Sequence, residues 1–279
     1  MPVEGLQLGP YVLRRRLGEG STGNVWYAFD SVENQPVAIK FLDAQYLNDE
    51  AMLALFMEEA KAAAQLQHPH IARALRTGRY DRQPFIVMEY VQGPTLQDLI
   101  HTGPLPEGAC IWVLRQMAQA LRELSRQQIV HQDIKPTNII VEPDGNCKLV
   151  DLGFARRQGG AIDWAGLAAG TALFMSPEQC RGGKGAPVEA RSDQYALGAT
   201  IYYIATGEPP FDGRTDQEIM RLHLEAPLAP AHRRRAQLSQ PFSLVLDKML
   251  AKDPAWRFAT PEALLMELRR LRTPATPPW

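Results

Sequence analysis

The hydrophobic residues of this chain change their spacing once, at about residue 92. Ahead of that point five segments, "YVLRRRLG", "NVWYAFD", "QPVAIKFL", "ARALRTGRY" and "PFIVMEYV", are short, rich in β-branched and aromatic residues, and parted by turn formers. They read as five strands. One interruption, from about Glu50 to Gln67, places Met52, Leu55, Phe56, Glu59, Ala63 and Leu66 at helical spacing. Gly93 and Pro94 break the pattern, and beyond them helices dominate. Thr95 with Asp98 three residues on has the form of a capping box, "CIWVLRQMAQALRELSRQ" is a long amphipathic helix, and "TPEALLMELRRL" opens on a capping Thr260 with Pro261 in its first turn. The spacing predicts an α+β, bilobal chain: a small antiparallel sheet with one helix, a short hinge, and a larger, mainly α-helical lobe. Clefts between lobes are where ligands usually sit.

A chain of 279 residues, 45% of them hydrophobic, is long enough to bury such a core without help. Thirty basic against thirty-one acidic residues leave a formal charge of -1, so no bulk field draws the chain to nucleic acid or to an anionic membrane. Cys110, Cys147 and Cys180 are far apart and lack metal-ligand spacing, which suits a reducing, cytoplasmic setting and buried thiols. The first sixteen residues carry Glu4, Arg14, Arg15 and Arg16 and have no apolar core of a targeting signal, while "QYALGATIYYIATG" is too short to span a bilayer and reads as a buried helix. The Pro-rich tail over 273–279 has the composition of a linker.

Gly18, Gly20 and Gly23 stand in G-x-G-x-x-G spacing within "LGEGSTGNV". A dinucleotide fingerprint would open a helix after its third glycine. Here a strand pattern follows, so the loop reads as a hairpin whose backbone can approach a phosphate closely; by itself it does not decide between that role and a plain turn. Lys40 in the apolar "VAIK" strand either snorkels at an edge or is held by an acid; of the two candidates Glu59 shares the inward face of Phe56 and Ala63 while Glu58 turns to solvent. A Lys40–Glu59 pair at the cleft, exposed enough to add little stability, would hold an ammonium ready for phosphate oxygens.

In "HQDIKPTN", Asp133, Lys135 and Asn138 lie within six residues, and a strand, the turn "EPDGN" and a second strand return the chain to Asp151 beside Asn138. One carboxylate and one amide oxygen, few and partly open, suit Mg²⁺ carrying a nucleotide's phosphates. Asp133 is then left to accept a hydroxyl proton, and Lys135 to steady a transferred phosphoryl group.

The order "GEGSTG", "VAIK", a helix glutamate, "HQDIKPTN", "DLG", "SPE", "SDQYALG" and "KDPAWRF" resembles a protein serine/threonine kinase, most of all the eukaryotic-like kinases of bacteria, over about residues 8–272. The resemblance implies a small lobe over 8–91, a large lobe over 92–272, ATP with Mg²⁺ or Mn²⁺ as cofactors, and proteins bearing Ser or Thr as substrates in signalling. Carried over residue by residue, it makes Lys40 and Glu59 the lobe-bridging pair, Asp133 the base, and Asn138 with Asp151 the metal ligands. Met88 falls at the gatekeeper position, the backbone from Glu89 to Val91 at the adenine hinge, and Val25, Ala38 and Ile140 around the adenine ring. Glu178 and Arg257 match the pair that ties down the activation segment, Asp193 the acid that braces the catalytic loop, and Thr171 a contact to that loop. Lys135 and Thr171 favour Ser/Thr over Tyr.

Three positions depart from the family pattern. Leu152 replaces a phenylalanine in the same packing role, and Ser176 replaces an alanine of similar size. Gln132 replaces an arginine, and a neutral amide cannot pair with a phosphate as a guanidinium does. Between Asp151 and Thr171 the chain has no Ser, Thr or Tyr, so the usual phosphate acceptor is missing along with its receptor. The two absences predict activity without activation-loop phosphorylation, the loop being held by Ile162, Trp164 and Leu167, with Arg156 and Arg157 left as phosphate receptors. Two other classes share parts of this pattern: a pseudokinase or scaffold module that binds nucleotide without efficient transfer, and a small-molecule phosphotransferase on a similar fold. None of the lysine, base or metal acids is missing, and "SPE" with Arg257 argues against the third. Apart from His131 the histidines lack a partner in sequence, and "HRRR" at 232–235 reads as a solvated loop.

Overall fold

A computed structural model describes residues 2–20, 22–152, 156–157, 172–182, 187–272, 274 and 276. Strands β1 (Gln7–Leu8), β2 (Tyr11–Gly20), β3 (Gly23–Asp30), β4 (Gln35–Leu42), β5 (Ala74–Tyr80) and β6 (Gln83–Glu89) make one antiparallel sheet in the order β1-β2-β3-β4-β6-β5. The five expected strands are present, and β1 is an addition: two residues are too few for any periodicity to show. Cross-strand partners share a face. Val37, Ile39 and Phe41 alternate onto one face with Leu13, Ala28 and Val87, where they form a closed cluster. On the other face Lys40 stands opposite Val25 on β3 and Ile86 on β6, and Ala38 opposite Met88. Part of that second face is covered by helix α1 (Glu50–Gln65), whose Phe56 and Ala60 pack on Leu42 and Ile86.

Helix α1 begins where Asp49 accepts from the amides of Ala51 and Met52. It ends two residues before the expected Gln67, because Leu66 takes extended backbone and drops into the large-lobe core. The chain then runs along the second lobe, where Ile71 bridges to Leu149, and returns through β5 and β6 to the hinge. At the hinge Gly93 has φ +155°, and a Cβ there would lie 1.9 Å from the carbonyl oxygen of Val141. Only glycine fits so tight a passage.

The second lobe comprises α2 (Leu96–Leu99), α3 (Glu107–Arg126), β7 (Ile129–Val130), β8 (Ile139–Val141), β9 (Cys147–Leu149), β10 (Arg156–Arg157), α4 (Pro177–Cys180), α5 (Ala190–Thr206), α6 (Asp216–Glu225), α7 (Ala231–Arg234), α8 (Gln240–Met249) and α9 (Pro261–Leu268). Helices α3 and α5 carry its core, with Ile111, Leu114, Met117 and Leu121 meeting Tyr195, Ile201 and Ile204, and α8 and α9 flank them. The Thr95–Asp98 capping box forms, and Thr260 caps α9. The buried helix read from "QYALGATIYYIATG" is α5, ended by Gly207 at φ +83°. No helix among the described residues is long and apolar enough to cross a membrane.

The 232–235 cluster is more than a solvated loop. Arg235 donates from Nη1 to the carbonyls of Leu105 and Ala205, at 2.6 and 2.8 Å, and so ties the end of α5 to the chain before α3.

Candidate active site

Strand β4 delivers Lys40 and α1 delivers Glu59 to one buried point. Lys40 Nζ donates to Glu59 Oε1 at 2.8 Å and Oε2 at 3.1 Å, and to Asp151 Oδ1 at 2.6 Å. Glu58 points outward and pairs with Lys61, as the helical spacing requires. The Lys40 and Glu59 side chains are only 1% and 2% exposed, so the expectation of an exposed pair of small energetic weight is corrected. Packing of α1 on the sheet face, through Phe56 and Ala60, excludes water from them. Burial works against the Lys40 ammonium, but the carboxylates of Asp151 and Glu59 outweigh it and hold the amine protonated. Burial likewise works against the ionised Asp151, and Lys40 outweighs it, leaving that carboxyl below its ordinary range.

Strand β7 leads into the loop from His131 to Asn138. Asp133 Oδ2 meets Lys135 Nζ at 2.9 Å and accepts from Asn138 Nδ2 at 3.0 Å, and the same amide donates to the Asp133 carbonyl at 2.9 Å. With Nδ2 committed to two acceptors, Asn138 Oδ1 is turned away from Asp133. The β8–β9 hairpin brings back the chain to Asp151 as expected: its turn closes from Gly145 N to the Glu142 carbonyl, and Val150 N donates to the Asn138 carbonyl at 2.9 Å. A neutral amide oxygen and an ionised carboxylate at one hairpin mouth fit a divalent cation that arrives with phosphates, since few protein ligands leave coordination positions for them.

The loop is braced from below. Asp193, in the first turn of α5, accepts from the backbone amides of His131 at 2.7 Å and Gln132 at 2.8 Å. Burial raises its carboxyl to about 7, against the pull of those two amides. His131 is fully buried, and burial lowers its imidazole to about 4. Arg257 forks onto Glu178, Nη1 to Oε1 at 2.7 Å and Nη2 to Oε2 at 2.8 Å, with Ser192 Oγ also donating to Glu178.

Among the residues expected to meet adenine, Val25, Ala38 and Met88 share the sheet face of Lys40. On β8, Ile140 is half-buried between the fully buried Ile139 and Val141, which puts it on the opposite face of that strand from the core. Val91 is buried. Glu89 N donates to the Arg73 carbonyl at 2.9 Å, and the Glu89 carboxylate meets Lys148 Nζ at 2.5 Å.

The glycine hairpin closes with Gly20 opposite Gly23. Gly23 answers first to the fold, because a Cβ there would lie 1.7 Å from the Phe41 carbonyl oxygen, whereas Gly18 has nothing within 4 Å. Leu152 fills the core position read for it. Ser176 does more than match an alanine's size: its Oγ caps α4. Thr171, Ile162, Trp164 and Leu167 lie outside the described residues; of Arg156 and Arg157 the backbone pairs with β7. Sequence reasoning missed the buried Tyr195 Oη–His223 Nδ1 contact at 2.8 Å and the role of Gln179, both of which join elements far apart in the chain.

The sequence profile of the protein kinase domain family matches residues 11–268, and the chain belongs to that family. It is 36% identical over 275 residues to the serine/threonine-protein kinase PknB of Mycolicibacterium smegmatis, which covers 96% of this chain and 44% of that protein. To the serine/threonine-protein kinase PrkC of Bacillus subtilis it is 36% identical over 263 residues, 94% of this chain and 40% of that one. To PknL of Mycobacterium bovis it is 35% identical over 273 residues, 97% and 68% of the two chains. The chain thus spans less than half the length of PknB and PrkC. Its fold matches the crystal structure of the Mycobacterium tuberculosis PknI kinase domain with a TM-score of 0.74 at 25% identity, covering 96% of this chain and 98% of that one. The resemblance to bacterial eukaryotic-like kinases and the bilobal α+β fold are borne out.

Proposed function

We propose that this chain is an ATP-dependent serine/threonine protein kinase, one domain over residues 8–272 with its lobes meeting near 91 and 92 and a Pro-rich tail after it. The observation that carries the reading is the convergence of Glu59 and Asp151 within 3.1 Å of the Lys40 ammonium, together with a carboxylate, Asp133, held by Asn138 and Lys135. A nucleotide-binding scaffold has no use for the Asp133 carboxylate. The relatives named serine/threonine-protein kinases support the choice of substrate.

Lys40 is positioned by Glu59 to meet nucleotide phosphates, exchanging its contact with Asp151 for them. Val25, Ala38 and Ile140 would enclose the adenine, with the Glu89–Val91 backbone at its edge. Asn138 and Asp151 would hold Mg²⁺ or Mn²⁺, which neutralises phosphate charge. Asp133 has one oxygen committed to Lys135 and Asn138, so Oδ1 is the atom that accepts the proton of an incoming Ser or Thr hydroxyl. Lys135 balances the charge on the phosphoryl group as it passes.

Gln132 in place of an arginine, and a segment with no hydroxyl between Asp151 and Thr171, support activity without activation-loop phosphorylation. Radiolabelled ATP with a generic protein substrate tests the whole: the phosphatase-treated wild type transfers label without a lag, and Asp133→Asn does not. A wild type that binds ATP and transfers nothing indicates the scaffold reading, and activity that returns only with a phosphate on this segment overturns the regulatory part.

A further inference from the structure

Gln132 has φ +70°, a left-handed backbone that a residue with a side chain rarely takes. Its peptide groups are pinned on every side. The Gln132 amide donates to Asp193 Oδ1 at 2.8 Å. The peptide that joins it to Asp133 is held at both polar atoms: the Asp133 amide meets His131 Nδ1 at 3.3 Å, and the Gln132 carbonyl accepts from Gln179 Nε2 at 2.8 Å. Gln179 is 1% exposed, and its other end belongs to α4. Its Oε1 accepts from Ser176 N at 3.0 Å and Ser176 Oγ at 3.1 Å, and the backbone N–H of Gln179 donates to Ser176 Oγ. One residue earlier, Glu178 is locked to the large lobe by the Arg257 fork. Two of the three departures from the family pattern, Ser176 and Gln132, therefore meet on one side chain.

We propose that Gln179 is a positioning residue for phosphoryl transfer: it fixes the peptide before Asp133 from the "SPE" turn, a link between activation segment and catalytic loop made by neutral groups alone. In many kinases an arginine before the base reaches a phosphate on that segment. Here the backbone carbonyl at the same position receives an amide donor, and no modification is needed to complete the contact. A buried carbonyl that loses its donor is left unsatisfied, and the peptide plane that aims Asp133 gains freedom to turn. The inference rests on the kinase reading above.

Three variants separate the link from the cap. Gln179→Met removes the link and the side-chain half of the capping box, leaving the backbone amide of residue 179 on Ser176 Oγ. Gln179→Glu keeps the oxygens that Ser176 needs but, when ionised, has no proton for the Gln132 carbonyl. Ser176→Ala weakens the cap and leaves the link. We expect kcat to fall about 10-fold in Gln179→Met, with KM for ATP little changed and Ser176→Ala close to wild type. In Gln179→Glu the ratio of kcat to that of wild type should rise as pH is lowered from about 9 to about 6, because a protonated carboxyl donates again. Asp193, Asp133, His131 and Lys135 on the loop side and Glu178 with Arg257 on the α4 side are common to both proteins, so their contributions cancel in that ratio. Hydrogen exchange over residues 129–138 reads the clamp without turnover and should quicken in Gln179→Met. Wild-type kcat and exchange in Gln179→Met, or a flat ratio in Gln179→Glu, overturns the proposal. A wild type without transfer sinks the kinase reading, and the exchange measurement still judges the clamp.

Discussion

At the scale of single residues, the proposed function separates groups assigned to the acceptor from groups assigned to the nucleotide. Among the described residues the Asp133 carboxylate meets loop partners, Asn138 and Lys135, so Asp133→Asn should abolish transfer and leave ATP affinity nearly unchanged, which nucleotide titration beside a rate assay checks. Asp151→Asn removes an ion-pair partner from Lys40 and, under the proposed role, a charged oxygen that would hold the cation, so it should weaken Mg²⁺-dependent nucleotide binding; unchanged magnesium dependence would count against the role. Glu59→Gln strikes a buried pair. Losing one partner of a buried pair typically costs about 3–5 kcal/mol, and Asp151 at 2.6 Å still compensates Lys40. A loss of about 1–3 kcal/mol in denaturant unfolding, together with a fall in turnover, is therefore expected. The pairing of Lys40 with Glu59 was legible, because an apolar strand and a helical face each allow a charge one direction only. Its burial was not, since that depends on how closely α1 lies on the sheet.

At the scale of elements, strands, helices and caps could be read wherever a period or a capping pair repeated, and were lost where the cause is non-local. The two-residue β1 exists only by pairing with β2, and α1 stops early because Leu66 is drawn into the core of the other lobe. Gln179 has no sequence signal beyond following "SPE", because its partner lies 47 residues away. The glycine hairpin shows how one motif can hold two causes. Gly23 passes against the backbone of Phe41, so Gly23→Ala must push β3 from β4 and should lower the melting temperature. Gly18→Ala meets no atom within 4 Å and should leave melting unchanged. A rise in KM for ATP from Gly18→Ala then reports close approach of the loop to the nucleotide, and unchanged melting in Gly23→Ala would refute the steric assignment.

At the scale of the whole molecule, buried titratable groups set how the fold answers acid. His223, on α6, is fully buried, with Nδ1 on the Tyr195 hydroxyl and its ring centroid 5.0 Å from that of Phe211 in a T-shaped contact. Burial, helped by the nearby Lys252, lowers its imidazole to about 3, and burial lowers His131 to about 4. Below the ordinary value of 6.5 the unfolded chain takes up protons that the folded chain refuses. The stability these histidines add is thus full above about pH 6.5 and lost as pH falls towards their folded values. Asp193 and Glu59, both raised to about 7, act in the opposite sense: the fold holds their protons where the unfolded chain releases them, so they favour folding as pH falls through the same window. Wild-type stability between pH 7 and 4 is then a difference of opposed contributions, and only substitution isolates one. His223→Gln retains a polar group for Tyr195 without the titration. Relative to wild type it should lose less stability between pH 6.5 and 4.5, by about 2–3 kcal/mol, as each unit of unmatched titration is worth about 1.4 kcal/mol. Urea unfolding of both proteins across that range measures the difference. Parallel curves would mean that His223 is protonated in the fold, with its charge met by the carbonyls around it.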